Sequence, residues 1–224
     1  MSQIFKEMIF SILKFFLKLF YDPIVLGIHT YRWKTKNKHN FTHPVVLFPS
    51  DKVIVGKYTY GPLEIYSYSK KKDEFLNIGS FCSIAKGVKF ILGGNHHYNF
   101  ISTYPFKAYF KNEEEAFSKG NISLKDDVWV GTDCLILSGV TLEQGCVVAA
   151  GSVVTKSFPP YSIIGGNPAR VIKKRFNDEV IEELLQLDFN NLNKDFITEN
   201  INAFYNKDIN TVIQQLKKIK TNLV

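Results

Sequence analysis

Two of the five histidines in this 224-residue chain stand side by side, directly after a glycine pair, in the run GGNHHYNFISTYPF from Gly93 to Phe106. An imidazole takes and returns protons near neutral pH, so His96 or His97 could remove the proton of a hydroxyl group. A loop histidine taken alone is more often a surface residue than a base. The pair therefore gains meaning only from the elements that position it. Three cysteines, Cys82, Cys134 and Cys146, are the other reactive side chains. None belongs to a CxxC pair, so neither a zinc motif nor a redox motif is visible, and the odd number suits a reducing compartment.

The positioning element is a repeat. From Leu124 to Pro159 the sequence divides without a gap into six hexapeptides, LKDDVW, VGTDCL, ILSGVT, LEQGCV, VAAGSV and VTKSFP. The first position is always aliphatic (Leu124, Val130, Ile136, Leu142, Val148, Val154), and the fifth is mostly small or aliphatic. A period of six fits neither a helix nor a simple strand. It fits a short strand followed by a bend, three of which close a triangular coil, with stacked coils burying the aliphatic positions. Gly131, Gly139, Gly145 and Gly151 suit the bends. The same period runs through Val55–Tyr60, Ile78–Ser83, Ile84–Lys89 and Phe90–Asn95. Each cysteine then takes a fifth position and points inward as a small hydrophobe rather than a nucleophile.

Two stretches break the rhythm. Residues 66–75 look like a charged surface loop, and residues 96–121 form a long excursion, the kind of insertion that often carries function. Pro159 and Pro160 end the coils. Beyond them, Asn177 caps one expected helix and Asp208 opens another. The chain thus divides into an N-terminal amphipathic helix with its extension (1–50), a repeat domain (51–173) and a helical tail (174–224). In MSQIFKEMIFSILKFFLKLFYDP, Gln3, Glu7, Ser11, Lys14 and Lys18 gather on one stripe and apolar residues cover the rest. Lys14 and Lys18 interrupt the apolar run, which argues against a membrane span. Two readings stay open, docking on protein and peripheral membrane contact through residues 1–20. The expected location is cytoplasmic, at the inner face of the membrane if the second reading holds. The net charge of +7 suggests an acidic partner such as a phosphorylated ligand. It is the only feature that points to nucleic acid, so no nucleic-acid partner is expected. His29, His39 and His43 precede the repeat, so no metal is expected between coils.

Five motifs carry a resemblance: NIGSFCSIA (77–85), GGNH with ISTYPF (93–106), DDVWVG (126–131), AAGSVVTK (149–156) and GGNPARVIKKRF (165–176). Over residues 50–187 the chain resembles the hexapeptide-repeat acyltransferases, and within them the xenobiotic acetyltransferase subfamily, which also holds sugar and polysaccharide O-acetyltransferases. The resemblance implies a mainly β fold, a left-handed parallel β-helix with an N-terminal helix and C-terminal helices, assembled as a homotrimer with active sites between subunits. It implies acetyl-CoA as co-substrate and His96 as general base, with transfer straight to a hydroxyl of a sugar or cell-surface polysaccharide. The alternative acceptor is an antibiotic, chloramphenicol or a streptogramin A. A non-catalytic scaffold is a further reading, against which His96 itself counts. Thr132, Ala150, Thr155 and Lys156 match positions along the coenzyme A groove, and Arg170 and Lys173 match basic positions near its phosphates. Tyr60 matches a position that shapes the acceptor pocket. His97 lies on that side too and is read as a bystander to the chemistry. The family's tryptophan-rich tail is absent, since 187–196 reads LDFNNLNKDF.

Overall fold

The computed structural model describes residues 3–68, 74–186, 189, 192–205, 208, 209, 211, 213 and 214, with the backbone alone for 3–10 and 12–20. In chain order the elements are α1 (Gln3–Lys36), β1 (Phe41–Pro44), β2 (Val53–Val55), β3 (Tyr60–Ser67), β4 (Leu76–Ile78), β5 (Ser83–Ile84) and β6 (Lys89–Leu92). They continue as α2 (Phe106–Phe110), β7 (Ile122–Leu124), β8 (Trp129–Val130), β9 (Leu135–Leu137), β10 (Thr141–Leu142), β11 (Val147–Val148) and β12 (Val153–Val154). The last are β13 (Ser162–Gly166), β14 (Ala169–Lys174), α3 (Asp178–Leu185) and α4 (Lys194–Glu199).

The strands stack in three parallel faces. The first runs β1–β3–β5–β8–β11–β13, the second β2–β4–β7–β10 and the third β3–β6–β9–β12. The long β3 begins on the first face, where Tyr60 pairs with Ser83, and ends on the third, where Glu64–Ser67 pair with Lys89–Leu92. Within the continuous repeat, partners on adjacent coils are eighteen residues apart, as in Trp129 with Val147, Leu135 with Val153 and Ser123 with Thr141. That spacing is three hexapeptides, and it puts every first position, from Leu124 to Val154, into one buried core. The fifth positions Val128, Cys134, Val140, Cys146, Ser152 and Phe158 are buried with them.

Several local expectations need correction. Pro159 and Pro160 do not end the coils: β13 still pairs in parallel with β11, Val147 opposite Ile163, so the last coil is shortened to sixteen residues instead of stopping. An antiparallel hairpin with β14 then closes the stack. Gly131 serves close approach rather than a bend, since a Cβ there would stand 2.7 Å from the Ala150 nitrogen on the next coil. The left-handed turns that glycine was expected to supply are partly taken by Asp127 and Asp133, at φ 58° and 55°. The 66–75 stretch is not all loop, because Tyr66 and Ser67 belong to β3 and Glu74 is buried. Its residues 69–73 lie outside the described residues.

At the N-terminus β1, within the stretch read as an extension, already joins the first face. α1 packs its last turns against it: Trp33 is buried, donates Nε1–H to Thr42 Oγ1 at 3.0 Å and meets Phe48 edge-on, with His29 beside it. Burial lowers the His29 imidazole below its usual range. Of the N-terminal stripe, Ser11 is exposed, and the side chains of Gln3, Glu7, Lys14 and Lys18 lie outside the described residues. In the tail Asn177 caps α3 by accepting from the Val180 N–H, and Asp208 accepts from the Thr211 N–H. α4, capped by Asn193, was not read from the sequence.

The three thiols act across coils. Each Sγ–H donates to a main-chain carbonyl 3.1 Å away: Cys82 to Lys125, Cys134 to Ala149 and Cys146 to Pro159. Burial pushes Cys82 up to about 12 and Cys146 up to about 11, and raises Cys134 as well. A raised thiol keeps its proton in the folded state. Its contribution to stability is complete below the ordinary thiol value and is lost as pH rises towards 11 and 12. The native protein at pH about 8 is therefore expected to leave all three thiols unreacted with a disulfide reagent, and to release three equivalents only in denaturant. Prompt labelling of the native chain would contradict the inward placement.

Candidate active site

The excursion begins where β6 ends. Gly93 and Gly94 follow with φ 66° and 77°, a left-handed pair that turns the chain off the third face. A Cβ on Gly94 would also press on the Tyr68 side chain at 3.1 Å. Asn95 then anchors the return. Its N–H donates to the Phe117 carbonyl at 3.0 Å and its carbonyl accepts from the Phe117 N–H at 2.9 Å. Its side-chain Nδ2 donates to the same carbonyl and to Ser138 Oγ at 3.0 Å, on the neighbouring coil. The two ends of the excursion are thus clasped at one point.

His97 and His96 part at that clasp. The His97 ring lies between those of Phe100 and Phe117, with centroids 4.7 and 4.6 Å away, and so packs the excursion together. His96 is exposed, and its Nδ1 lies 2.9 Å from the Thr103 carbonyl oxygen. A carbonyl can only accept, so Nδ1 carries the hydrogen and the neutral ring presents Nε2 as an open acceptor. The orienting partner is a main-chain group seven residues away, which no side-chain pattern announces. Further along, Tyr104 packs on Phe106 and Tyr109, and the Lys107 N–H donates to Glu115 Oε2 at 3.0 Å.

The other candidate residues occupy separate parts of the prism. Thr132 and Ala150 share the edge between the first and third faces on successive coils, where the Gly151 N–H donates to the Thr132 carbonyl at 2.8 Å. Thr155 and Lys156 leave the third face toward the second, the edge from which the excursion also departs, and the Lys156 ammonium lies over the Phe158 ring at 5.7 Å. Arg170 and Lys173 stand on β14, opposite Gly165 and Ile163. All six are exposed. Tyr60 and Trp129 lie on the first face, in one outward column with Phe41, Ser83 and Val147. Within one chain, then, His96 shares an edge with Thr155 and Lys156 but not with Thr132 and Ala150.

Sequence reasoning missed Arg175. Its guanidinium donates to Asp127 Oδ2 at 3.0 Å and to the Gly145 carbonyl at 2.8 Å, and it stacks on Tyr161 and Phe176. It ties the end of the hairpin to the coils. Burial raises the Asp127 carboxyl, and Arg175 opposes that shift. Among the described residues, no three His, Cys, Asp or Glu side chains cluster where they could hold a metal ion.

Parallel coils eighteen residues long, with buried first and fifth positions, define a hexapeptide-repeat protein. The family described as the hexapeptide repeat of succinyl-transferase matches residues 122–156. A chloramphenicol acetyltransferase of Klebsiella aerogenes is 44% identical over 124 residues, 51% of this chain and 58% of that protein, so the match spans little more than half of that relative. A probable macrolide acetyltransferase of Lysinibacillus sphaericus is 41% identical over 152 residues, 62% of this chain and 84% of the relative. The virginiamycin A acetyltransferase of Staphylococcus aureus is 38% identical over 184 residues, 75% of this chain and 84% of the relative. The chain belongs to the hexapeptide-repeat acetyltransferases of this xenobiotic type.

The clasp can be tested apart from any reaction. Asn95→Ala removes two side-chain hydrogen bonds, about 1–3 kcal/mol of local stability. Limited proteolysis is expected to cut the variant faster within 98–116 while its far-ultraviolet circular dichroism stays that of the parent. An unchanged cleavage rate would place the anchor elsewhere.

Proposed function

We propose that the protein transfers the acetyl group of acetyl-CoA to a hydroxyl of a small acceptor, with His96 as general base. The observation that carries this reading is the hydrogen bond from His96 Nδ1–H to the Thr103 carbonyl, which leaves an exposed Nε2 ready to accept. The acceptor hydroxyl gives its proton to Nε2 while its oxygen attacks the thioester carbonyl carbon. The tetrahedral intermediate then expels the coenzyme A sulfur, the C–S bond breaks, and the sulfur takes the proton back from the imidazolium. No acyl-enzyme is formed, and the buried, raised cysteines have no part in it.

Coenzyme A fits the exposed residues in chemical kind. Thr132 and Ala150 are small and lie on an open edge, Thr155 and Lys156 follow on another, and the cations of Arg170 and Lys173 suit phosphates. Because Thr132 and Ala150 lie on a different edge from His96, Thr155 and Lys156, a second chain is needed to bring the two edges together. The proposed assembly is a homotrimer of left-handed β-helices. The outward column of Phe41, Tyr60 and Trp129 supports burial of the first face, since large apolar side chains in register seldom stay exposed.

The acceptor class best supported is a hydroxyl-bearing antibiotic, because chloramphenicol, macrolide and virginiamycin A acetyltransferases are 38–44% identical to this chain over the matched residues. A sugar or polysaccharide hydroxyl, expected first from the sequence, stands second. Its support is the basic amphipathic N-terminal helix, since lipid-carried glycans are assembled at membranes. Tyr60 and His97 border the acceptor side in either case.

Two measurements test this. With acetyl-CoA and a panel of chloramphenicol, virginiamycin A, a macrolide, nucleotide sugars and lipid-linked glycans, one class is expected to release coenzyme A thiol, and His96→Ala is expected to slow that release by roughly 10²–10⁴-fold. Equal release from the variant would remove His96 as the base. Sedimentation equilibrium is expected to give three times the 25.7 kDa chain mass. A monomer that is active would refute the shared site.

A further inference from the structure

We propose that α1 docks the protein flat on an anionic lipid bilayer. The helix is 34 residues long, about 51 Å, and its last turns lean on the body through His29 and Trp33. Its other side carries Tyr21, Ile24, Ile28 and Tyr31, with 66, 62, 47 and 73% of their surfaces exposed. These residues are spaced by three and four and so form one stripe pointing away from the coils. In the sequence the same spacing runs back through Leu17, Leu13 and Phe10. Four large apolar side chains left in water along one stripe call for a cover.

Charge identifies the cover. Residues 1–38 hold seven basic and two acidic side chains, a net +5 out of +7 for the whole chain. At about 100° per residue Arg32 and Lys34 fall on opposite flanks of the stripe. Lys34 and Lys36 occupy the last turn, and Lys38 follows it. The carbonyl end of a helix alone would repel an anion, and these ammonium groups outweigh that half-charge. Beside them opens a hollow of about 380 Å³ lined in part by Lys34, Asn37, Lys38 and Asn40. An apolar stripe flanked by cations is the pattern of a helix lying in the lipid interface, with aromatic and aliphatic side chains below the headgroups. Among the described residues, no helix is long and apolar enough to cross a membrane, so the contact is with one surface. A seam joining two copies of α1 would instead bring these like charges together.

The test is co-sedimentation of the full chain with vesicles of phosphatidylcholine alone or mixed with phosphatidylglycerol. The parent is expected to bind the mixed vesicles, to be released by salt, and to ignore the neutral ones. Ile24→Asp with Ile28→Asp should lose binding by more than tenfold, and Lys34→Glu with Lys38→Glu should weaken it by roughly ten- to a hundredfold. Circular dichroism should match the parent in both cases, and acetyl transfer to a water-soluble acceptor should be unchanged, which separates this contact from the reaction. Equal binding to both vesicle types, or none to either, overturns the proposal. So does a change in subunit number in the isoleucine variant, since the stripe would then join copies of the chain.

Discussion

Main-chain hydrogen bonding between successive coils, from each N–H to a carbonyl seventeen residues on, is the constraint on which everything else in this protein rests. The Trp129 N–H reaches the Cys146 carbonyl, the Gly131 N–H reaches Val148, and the Lys125 N–H reaches Leu142, all at 2.9 Å. A strand of two or three residues cannot pay for its own ordering, and each becomes stable only because the coils on either side satisfy its polar groups. One residue too many in a hexapeptide would turn aliphatic side chains outward and carry polar ones into the core. The thiol-to-carbonyl contacts of Cys82, Cys134 and Cys146 show how closely the interior follows this rule, since each cysteine repeats the same donor role one or more coils away.

The catalytic proposal depends on a place where that rule is suspended and then restored. Ser83 pairs with Trp129 and Lys89 with Leu135, both 46 residues apart, which is 28 more than a regular coil. The extra residues are the excursion, 96–121, with Ile122 and Ser123, which lead back into the repeat. Because Asn95 and Phe117 clasp its base, His96 is held beside a rigid wall even though it stands in a loop. The main-chain acceptor at Thr103 orients the His96 ring without a titratable partner, while His97 packs between Phe100 and Phe117.

The sequence made the fold legible where side-chain periodicity and burial coincide. The first and fifth positions of the six hexapeptides, the inward cysteines and the Asn177 cap all follow from residue type. Features set by main-chain geometry were not legible. The coil that continues past Pro159 and Pro160 depends on a carbonyl-to-amide register that proline disturbs only locally, as at Tyr161 with φ 54°. The Thr103 carbonyl could be found by no side-chain signal. Arg175 is the last arginine in the sequence, but its partners Asp127 and Gly145 are distant along the chain. The choice of His96 over His97 as the base rested on the resemblance, and the structure shows His97 occupied with packing.

The clasped excursion also separates two kinds of inheritance. Its ends meet at one point, so its length enters the energetics of the coils only through loop closure, which grows by about 0.6 kcal/mol for each doubling. Residues 118–121 bond back to the coils, with the Gly120 carbonyl accepting from the Gly139 N–H and Asn121 Oδ1 from the Phe75 N–H, so the exchangeable part lies between Asn95 and Phe117. Selection for a new acceptor can therefore rewrite one contiguous cassette, by substitution or by exchange with a related gene. The coils that fold the chain pass on unaltered.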